Sequence, residues 1–227
     1  MIRKKQNILI ISPHGDDEIL GCGGTINKLS STGNAVYVLV ITNPHKGNPK
    51  LYSEIFLKKI RKETVTANKF LGVKDVFFFD FPVNNLNKID YSLIIDSIKK
   101  IIIKIRPNQI YIPHGNDIHN DHKIVNHCSL VASRPINNMH LVNILEYETL
   151  SETEWSENYK FAPNYFNVLS KKNLEAKINS MKKYRSQLKK NPHPRSIDVI
   201  KSLAHLRGSS IGNDYAEAFI LKRYIDI

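Results

Sequence analysis

Ile8-Leu9-Ile10-Ile11-Ser12-Pro13-His14-Gly15-Asp16-Asp17-Glu18 joins an apolar run to a turn carrying one histidine and three acids. Four consecutive large apolar residues predict a strand covered on both faces, over residues 7–12, with a helix following from about Asp17 to Ser31. In open α/β sheets ligands gather beyond the C-terminal ends of the strands. The turn therefore lies where a site belongs. Asp16 and Asp17 also suit the first turn of a helix, where the dipole favours negative charge, but that leaves His14 beside them unexplained. A histidine among carboxylates suits a zinc-like cation.

The same pattern returns a hundred residues later. Gln109-Ile110-Tyr111-Ile112 reads as a strand ending at Pro113-His114, and the loop beyond it runs His114-Gly115-Asn116-Asp117-Ile118-His119-Asn120-Asp121-His122. Strands one and four of a doubly wound sheet lie side by side at the switch point, which brings both loops together. His14, Asp17 and His122 then offer two nitrogens and one oxygen and leave a position for water, as a catalytic zinc requires. Asp121 or Asp117 is available to accept the other ring N–H of a ligating histidine. His119 is a further functional candidate. His114 and His127 read as structural, and His45, His140 and His205 carry no motif.

Between and beyond these loops, strands are expected at 35–41, 76–79, 143–148 and 165–168. Helices are expected at 52–71, from the Asp90 cap to Arg106-Pro107, at 121–132, in the Lys-rich stretch 172–187, and around 197–205. Residues 42–50 read as a polar loop. Strand–helix alternation over the first two thirds implies right-handed crossovers. The expected fold is α/β: one Rossmann-like domain over 1–227, a mostly parallel sheet flanked by helices, with the site at the C-terminal ends of the strands.

The chain has 227 residues, 41% of them hydrophobic, and a formal charge of +12. That length supports one substantial core. There is no run of about 18 apolar residues to span a bilayer, and Met1-Ile2-Arg3-Lys4-Lys5 leads straight into the first strand rather than into a signal peptide. The cytoplasm is the expected location. Cys22 and Cys128 are too few for a disulfide framework. The lysines are scattered, with only short clusters such as Lys182-Lys183 and Lys189-Lys190, so nucleic acid is not the expected partner. An anionic small substrate such as a sugar nucleotide uses the charge more economically. Neither a Walker A motif nor Gly-x-Gly-x-x-Gly is present.

Pro13-His14-Gly15-Asp16-Asp17-Glu18 resembles the Pro-His-Pro-Asp-Asp-Glu signature of the PIG-L/LmbE-like deacetylases, and His119-Asn120-Asp121-His122 resembles their His-x-Asp-His motif. Arg61-Lys62-Glu63, Ala67 and Leu71-Gly72-Val73 fit the helix between the motifs. Arg207-Gly208, Gly212 and Tyr215-Ala216-Glu217-Ala218-Phe219 fit the C-terminal pattern. Glu148-Thr149, Ser151-Glu152-Thr153-Glu154-Trp155 and Pro192-His193-Pro194-Arg195-Ser196 look like a bacterial branch associated with surface-sugar pathways. The chain departs from the family at Gly15, in place of Pro, and at Val83-Asn84-Asn85, in place of Asp-Gly. Asp117 stands where some relatives have an oxyanion-binding Tyr.

The resemblance implies His14, Asp17 and His122 as metal ligands for zinc, with Fe(II) or Co(II) able to use the same set. It implies Asp16 as general base, and His119, as imidazolium, on the oxyanion or the leaving amine. Arg61 would bind sugar hydroxyls or a phosphate, or else form an ion pair. Glu217 and Arg207 would line the pocket or simply pack. The implied activity is removal of the N-acetyl group from an N-acetylated amino sugar, sugar nucleotide or sugar conjugate. The alternatives are a metal hydrolase of an O-acetyl ester or phosphoester and a non-enzymatic sugar or nucleotide binder. A homo-oligomer is left open.

Overall fold

In the computed structural model, which describes residues 5–135, 140–141, 143–156 and 161–226, Asn7–Ser12 (β1) lies inside a seven-stranded sheet. Ala35–Asn43 (β2) and Asp75–Pro82 (β3) lie on one side of it. Gln109–Pro113 (β4), Asn143–Tyr147 (β5), Ala216–Tyr224 (β7) and Tyr165–Val168 (β6) follow on the other, in the order β3-β2-β1-β4-β5-β7-β6. The first five are parallel, and β7 runs antiparallel to both β5 and β6. The expected α/β architecture is present.

Alternation along β1 explains its unbroken apolar run. Ile8 and Ile10 enter one core cluster and Leu9 and Ile11 the other, on opposite faces of the sheet, and all four are fully buried. The first face is covered by Asp17–Ser31 (α1) with Glu54–Phe70 (α3), Lys171–Met181 (α6) and Ile197–Ser209 (α7); the second by Tyr91–Ile105 (α4) and Asn120–Ala132 (α5). Ile94, Ile98, Ile102 and Ile105 of α4 recur at helical spacing and are buried, while Leu93 and Ile103 face out. Asp90 caps that helix by accepting the Ser92 N–H at 2.9 Å. Each buried isoleucine contributes roughly 1.5–3 kcal/mol.

β1 pairs with β2 on one side and β4 on the other, with Ile8 opposite Gln109 and Ile10 opposite Tyr111. The chain leaves β1 toward one edge and returns at β4 toward the other, so the switch point falls between these two strands. Their two C-terminal loops open onto the same crevice.

Some elements differ from expectation. The Lys-rich helix expected to reach 187 ends at Met181. The bonds from Lys183 N–H to Ser180 O and from Tyr184 N–H to Met181 O are three-residue closures that turn Tyr184 inward, where it is fully buried. The polar loop 42–50 contains a one-turn helix, Pro44–Gly47 (α2), capped by the Asn43 side chain. β7 is an unexpected strand, inserted between β5 and β6. It carries Glu217 to the middle of α1, where the carboxylate accepts the N–H groups of Gly24 (2.9 Å) and Thr25 (2.7 Å) and pairs with Lys177 at 2.6 Å. Such close approach requires glycine on this helix: a Cβ at Gly24 would overlap Leu169, and one at Gly21 the Tyr147 ring.

Candidate metal centre and active site

The turn after β1 is fixed by short bonds. The Ser12 hydroxyl donates to the His14 carbonyl at 2.5 Å, Thr42 donates through both N–H and Oγ1 to Pro13 O, and the His14 N–H donates to Asp17 Oδ2 at 2.9 Å. The last bond brings His14 Nδ1 to 3.2 Å from the same carboxylate oxygen. Opposite, His119 caps α5, its Nδ1 accepting the Asp121 N–H at 3.1 Å. His122, one turn into the helix, points its Nε2 back at Asp17 Oδ2 (3.2 Å) and His14 Nδ1 (3.4 Å).

The outer ring nitrogens each carry a proton. His14 Nε2 donates to Asp121 Oδ2 at 3.2 Å and His122 Nδ1 to Asp117 Oδ2 at 2.8 Å, because an ionised carboxylate only accepts. Both aspartates expected to hold a histidine ring therefore do so, one each. Asp121 is itself fixed by the Asn84 N–H at 2.8 Å, and Asp117 by the Thr153 hydroxyl at 2.6 Å. The inner nitrogens, His14 Nδ1 and His122 Nε2, face each other and Asp17 Oδ2, and offer lone pairs there once their own protons are displaced. In a tetrahedral zinc site with bonds of about 2.0–2.2 Å, ligand atoms stand roughly 3.3–3.5 Å apart. Three potential donor atoms at 3.2, 3.2 and 3.4 Å fit a cation of that kind.

His14, His119 and Asp121 also lie close enough to form a ligand group. Asp121, however, already accepts from His14, so this second set is the support of the first.

Charge directions agree with the geometry. Burial alone lowers His14, but Asp17 and Asp121 outweigh it and raise the ring to about 9; burial likewise opposes the charge on His122, and Asp17 with Asp117 raises it well above its ordinary value. Burial would raise Asp17, yet the two rings hold it below the usual carboxylate range. Protons and a cation thus compete for the same three atoms.

Asp16 behaves differently from its neighbour. It occupies the cap position of α1 without capping it. Its Oδ2 instead accepts from Arg195 Nη1 at 3.1 Å, and the guanidinium continues to Gln187 Oε1 at 3.0 Å. Burial and the Asp17 charge raise the Asp16 carboxyl to about 6 against the pull of Arg195. Two adjacent carboxylates are thus pushed in opposite directions. Glu18 turns away altogether: Tyr184, Asn68 (2.7 Å) and Ser12 (3.3 Å) donate to it, and burial raises it to about 7. Successive helical steps of about 100° send the three carboxylates three ways.

A cavity of about 270 Å³ opens beside these groups, lined by His14, Asp16, His119, Arg61, Glu152 and Arg195, with Tyr52, Phe56 and Val83 forming an apolar wall. Arg61 lines the cavity and pairs with Asp80 at 2.6 Å, the ion pair that was the alternative to substrate binding. His119 departs from expectation. Burial and the charges of His14 and His122 lower it to about 4, and its Nδ1 is already an acceptor. The ring is neutral, not an imidazolium, with Nε2–H as its donor. Asp117 is buried behind His122 and away from the cavity. Glu217 and Arg207 do not line it; Glu217 sits in α1 and Arg207 grips Glu148 at 2.9 and 2.7 Å. His114 bonds Glu146 at 2.9 Å in the interior, in keeping with a structural role.

Arg195 and Glu152 line the cavity without having been singled out from the sequence. Arg195 had a signal in the Pro192-His193-Pro194-Arg195 run, but nothing there names Asp16 as its partner.

The family pattern described as PIG-L: GlcNAc-PI de-N-acetylase matches residues 9–133. The chain is similar to the uncharacterized deacetylase YaiS of Escherichia coli (strain K12), 28% identical over 188 residues that cover 81% of this chain and 92% of YaiS. It is also similar to the diacetylchitobiose deacetylase of Thermococcus kodakarensis, 26% identical over 224 residues, covering 93% and 81% of the two chains. Among solved structures, the N,N'-diacetylchitobiose deacetylase of Pyrococcus horikoshii superposes with a TM-score of 0.75 at 23% identity, over 98% of this chain and 85% of that one. At that identity the structural likeness speaks for the fold.

Proposed function

The chain belongs to the PIG-L, or GlcNAc-PI de-N-acetylase, family, and on that premise we propose that it hydrolyses the N-acetyl amide of an amino sugar, using a zinc ion held by His14, Asp17 and His122. The observation that carries this reading is the convergence of three potential donor atoms beside the cavity, with the raised carboxyl of Asp16 next to them. A divalent ion at such a site lowers the pKa of water from about 15.7 to about 7 and polarises a carbonyl.

The protein's own groups carry the proton. Asp16, ionised and oriented by Arg195, accepts it from the attacking water and later delivers it to the departing amine, giving acetate and the free amino sugar. His119 donates its Nε2–H to the carbonyl oxygen as that atom gains charge; a neutral donor suffices for this. Arg61 binds sugar hydroxyls or a phosphate at the cavity wall. The substrate is an N-acetylated amino sugar, a sugar nucleotide or a sugar conjugate, and diacetylchitobiose is the substrate named for two relatives. Among the described residues no helix is long and apolar enough to cross a membrane, and the reaction is assigned to the cytoplasm.

The test is metal content together with acetate release. The purified chain should hold about one divalent ion and release acetate from N,N'-diacetylchitobiose or N-acetylglucosamine. Release from O-acetyl sugars alone, with N-acetyl substrates untouched, would replace this reading by an esterase.

A further inference from the structure

We infer that the outer face of α3, turned away from the cavity that Phe56, Ile60, Arg61 and Thr64 of the same helix line, is a docking surface for an anionic phospholipid bilayer. At about 100° per residue, Ile55, Lys58, Lys59, Lys62, Lys69 and Phe70 fall within a stripe about 120° wide, with Thr66 between them. All of these side chains are exposed, Ile55 at 80% and Phe70 at 47%. The acids of the helix, Glu54 and Glu63, lie outside the stripe, about 100° and 80° from the Ile55 direction. Glu63 is turned to Ser186, which donates to it at 2.5 Å.

Cations continue across the groove beside α3. Lys182, Lys183 and Arg185 line it, and Lys183 Nζ stands 4.5 Å over the Phe70 ring. At the other end of the stripe Leu51 is 67% exposed, next to Tyr52, which with Phe56 lines the cavity.

Four lysines bracketed by exposed apolar side chains combine the two attractions of an interfacial helix: charge toward anionic headgroups and apolar groups for the acyl boundary. A polyanion such as nucleic acid uses the lysines but has no use for Ile55 and Leu51. This separates the bilayer from the other anionic surfaces. The surface stands independently of the reaction.

The experiment is co-sedimentation of the full chain with phosphatidylcholine vesicles, with and without phosphatidylglycerol. The chain should pellet with the anionic vesicles, be released by salt, and stay in solution with phosphatidylcholine alone. A lysine near an anionic surface is worth about fivefold in binding, so the Lys59→Glu, Lys62→Glu double variant should bind at least about 25-fold more weakly. Ile55→Ser should weaken binding without changing charge. If circular dichroism shows the glutamate variant misfolded, Lys59→Gln, Lys62→Gln should act in the same direction. Acetate release from soluble diacetylchitobiose should be the same in all these variants as in the parent, since none of the altered residues lines the cavity. An inactive parent that still pellets supports the surface and counts against the reaction alone. Equal binding to both vesicle types, or undiminished binding by the lysine variants, would overturn the proposal. So would an Ile55→Ser variant that binds unchanged while duplex DNA competes the chain off the vesicles.

Discussion

Asp16 Oδ2 lies 3.1 Å from Arg195 Nη1, a contact that closes 179 residues of chain onto the turn after β1. Asp17, one residue on, faces two histidines instead. One of two neighbouring aspartates is therefore braced by a fixed cation and the other by groups that also suit a metal. The arginine does two things for Asp16: it fixes the carboxylate orientation, and it offsets part of the cost of burying it.

Arg195→Gln should shift the pH profile. Burial and Asp17 raise the Asp16 carboxyl to about 6, and Arg195 opposes that rise. Asp16 accepts a proton only when ionised, so turnover falls as pH drops through its pKa. Without the guanidinium the pKa climbs, and the acid limb of kcat should move to higher pH while metal content stays unchanged. A limb that stays put or moves to lower pH would show that the contact does not tune Asp16.

Lys177 and Glu217 test how the core supports the site. The pair is buried at 2.6 Å, and Glu217 also accepts two backbone N–H groups of α1. Removing one partner of a buried pair costs about 3–5 kcal/mol, so both Lys177→Met and Glu217→Ala should lower urea stability by that order. Glu217→Ala should cost more, since it also strands two amides. Near-neutral results for both would show that the pair relaxes into solvent.

The closeness of His14, Asp17 and His122 was legible because each half of the group is announced locally. His14 and Asp17, like His119 and His122, lie three apart at the start of a helix that follows a strand, and an apolar run announces each strand. Parallel alternation then makes β1 and β4 natural neighbours. Arg195 was hidden because its partner is distant in sequence and the intervening chain is irregular. The direction of Glu18 was not legible because a run of acids does not show which way each turns; Tyr184, folded back after α6, shows that it points inward. β7 was missed because its place between β5 and β6 depends on non-local pairing. The charge state of His119 depends on two other rings, which no local window contains.

Asp117 should control metal affinity at one remove. It accepts the His122 Nδ1–H at 2.8 Å and so keeps the Nε2 lone pair aimed at Asp17. Losing such a partner typically costs about 10- to 100-fold in affinity. Asp117→Ala should therefore lose metal in a chelator titration well before the parent does, and excess metal should restore its activity. If its chelator midpoint matches the parent, His122 needs no such hold.

Asp16 and Asp17 should fail differently when each becomes asparagine. Asp17 Oδ2 is the anionic member of the trio, so Asp17→Asn replaces a charged donor by a neutral one. It should bind metal weakly and regain part of its acetate release as metal is added. Asp16→Asn leaves His14, Asp17 and His122 as they are and removes the proton acceptor, a role worth roughly 10² to 10⁴ in rate. Its metal content should stay at the parent level, its turnover on N-acetylglucosaminides should collapse, and added metal should not rescue it. Arg195 sharpens the comparison, because an asparagine at 16 still accepts the guanidinium bond and keeps the loop in place. Any loss in that variant is then a loss of proton acceptance rather than of structure. Metal analysis and acetate release on both variants decide the matter. Metal lost from Asp16→Asn but retained in Asp17→Asn would exchange the two roles, and full turnover in both would end the case for amide hydrolysis at this site.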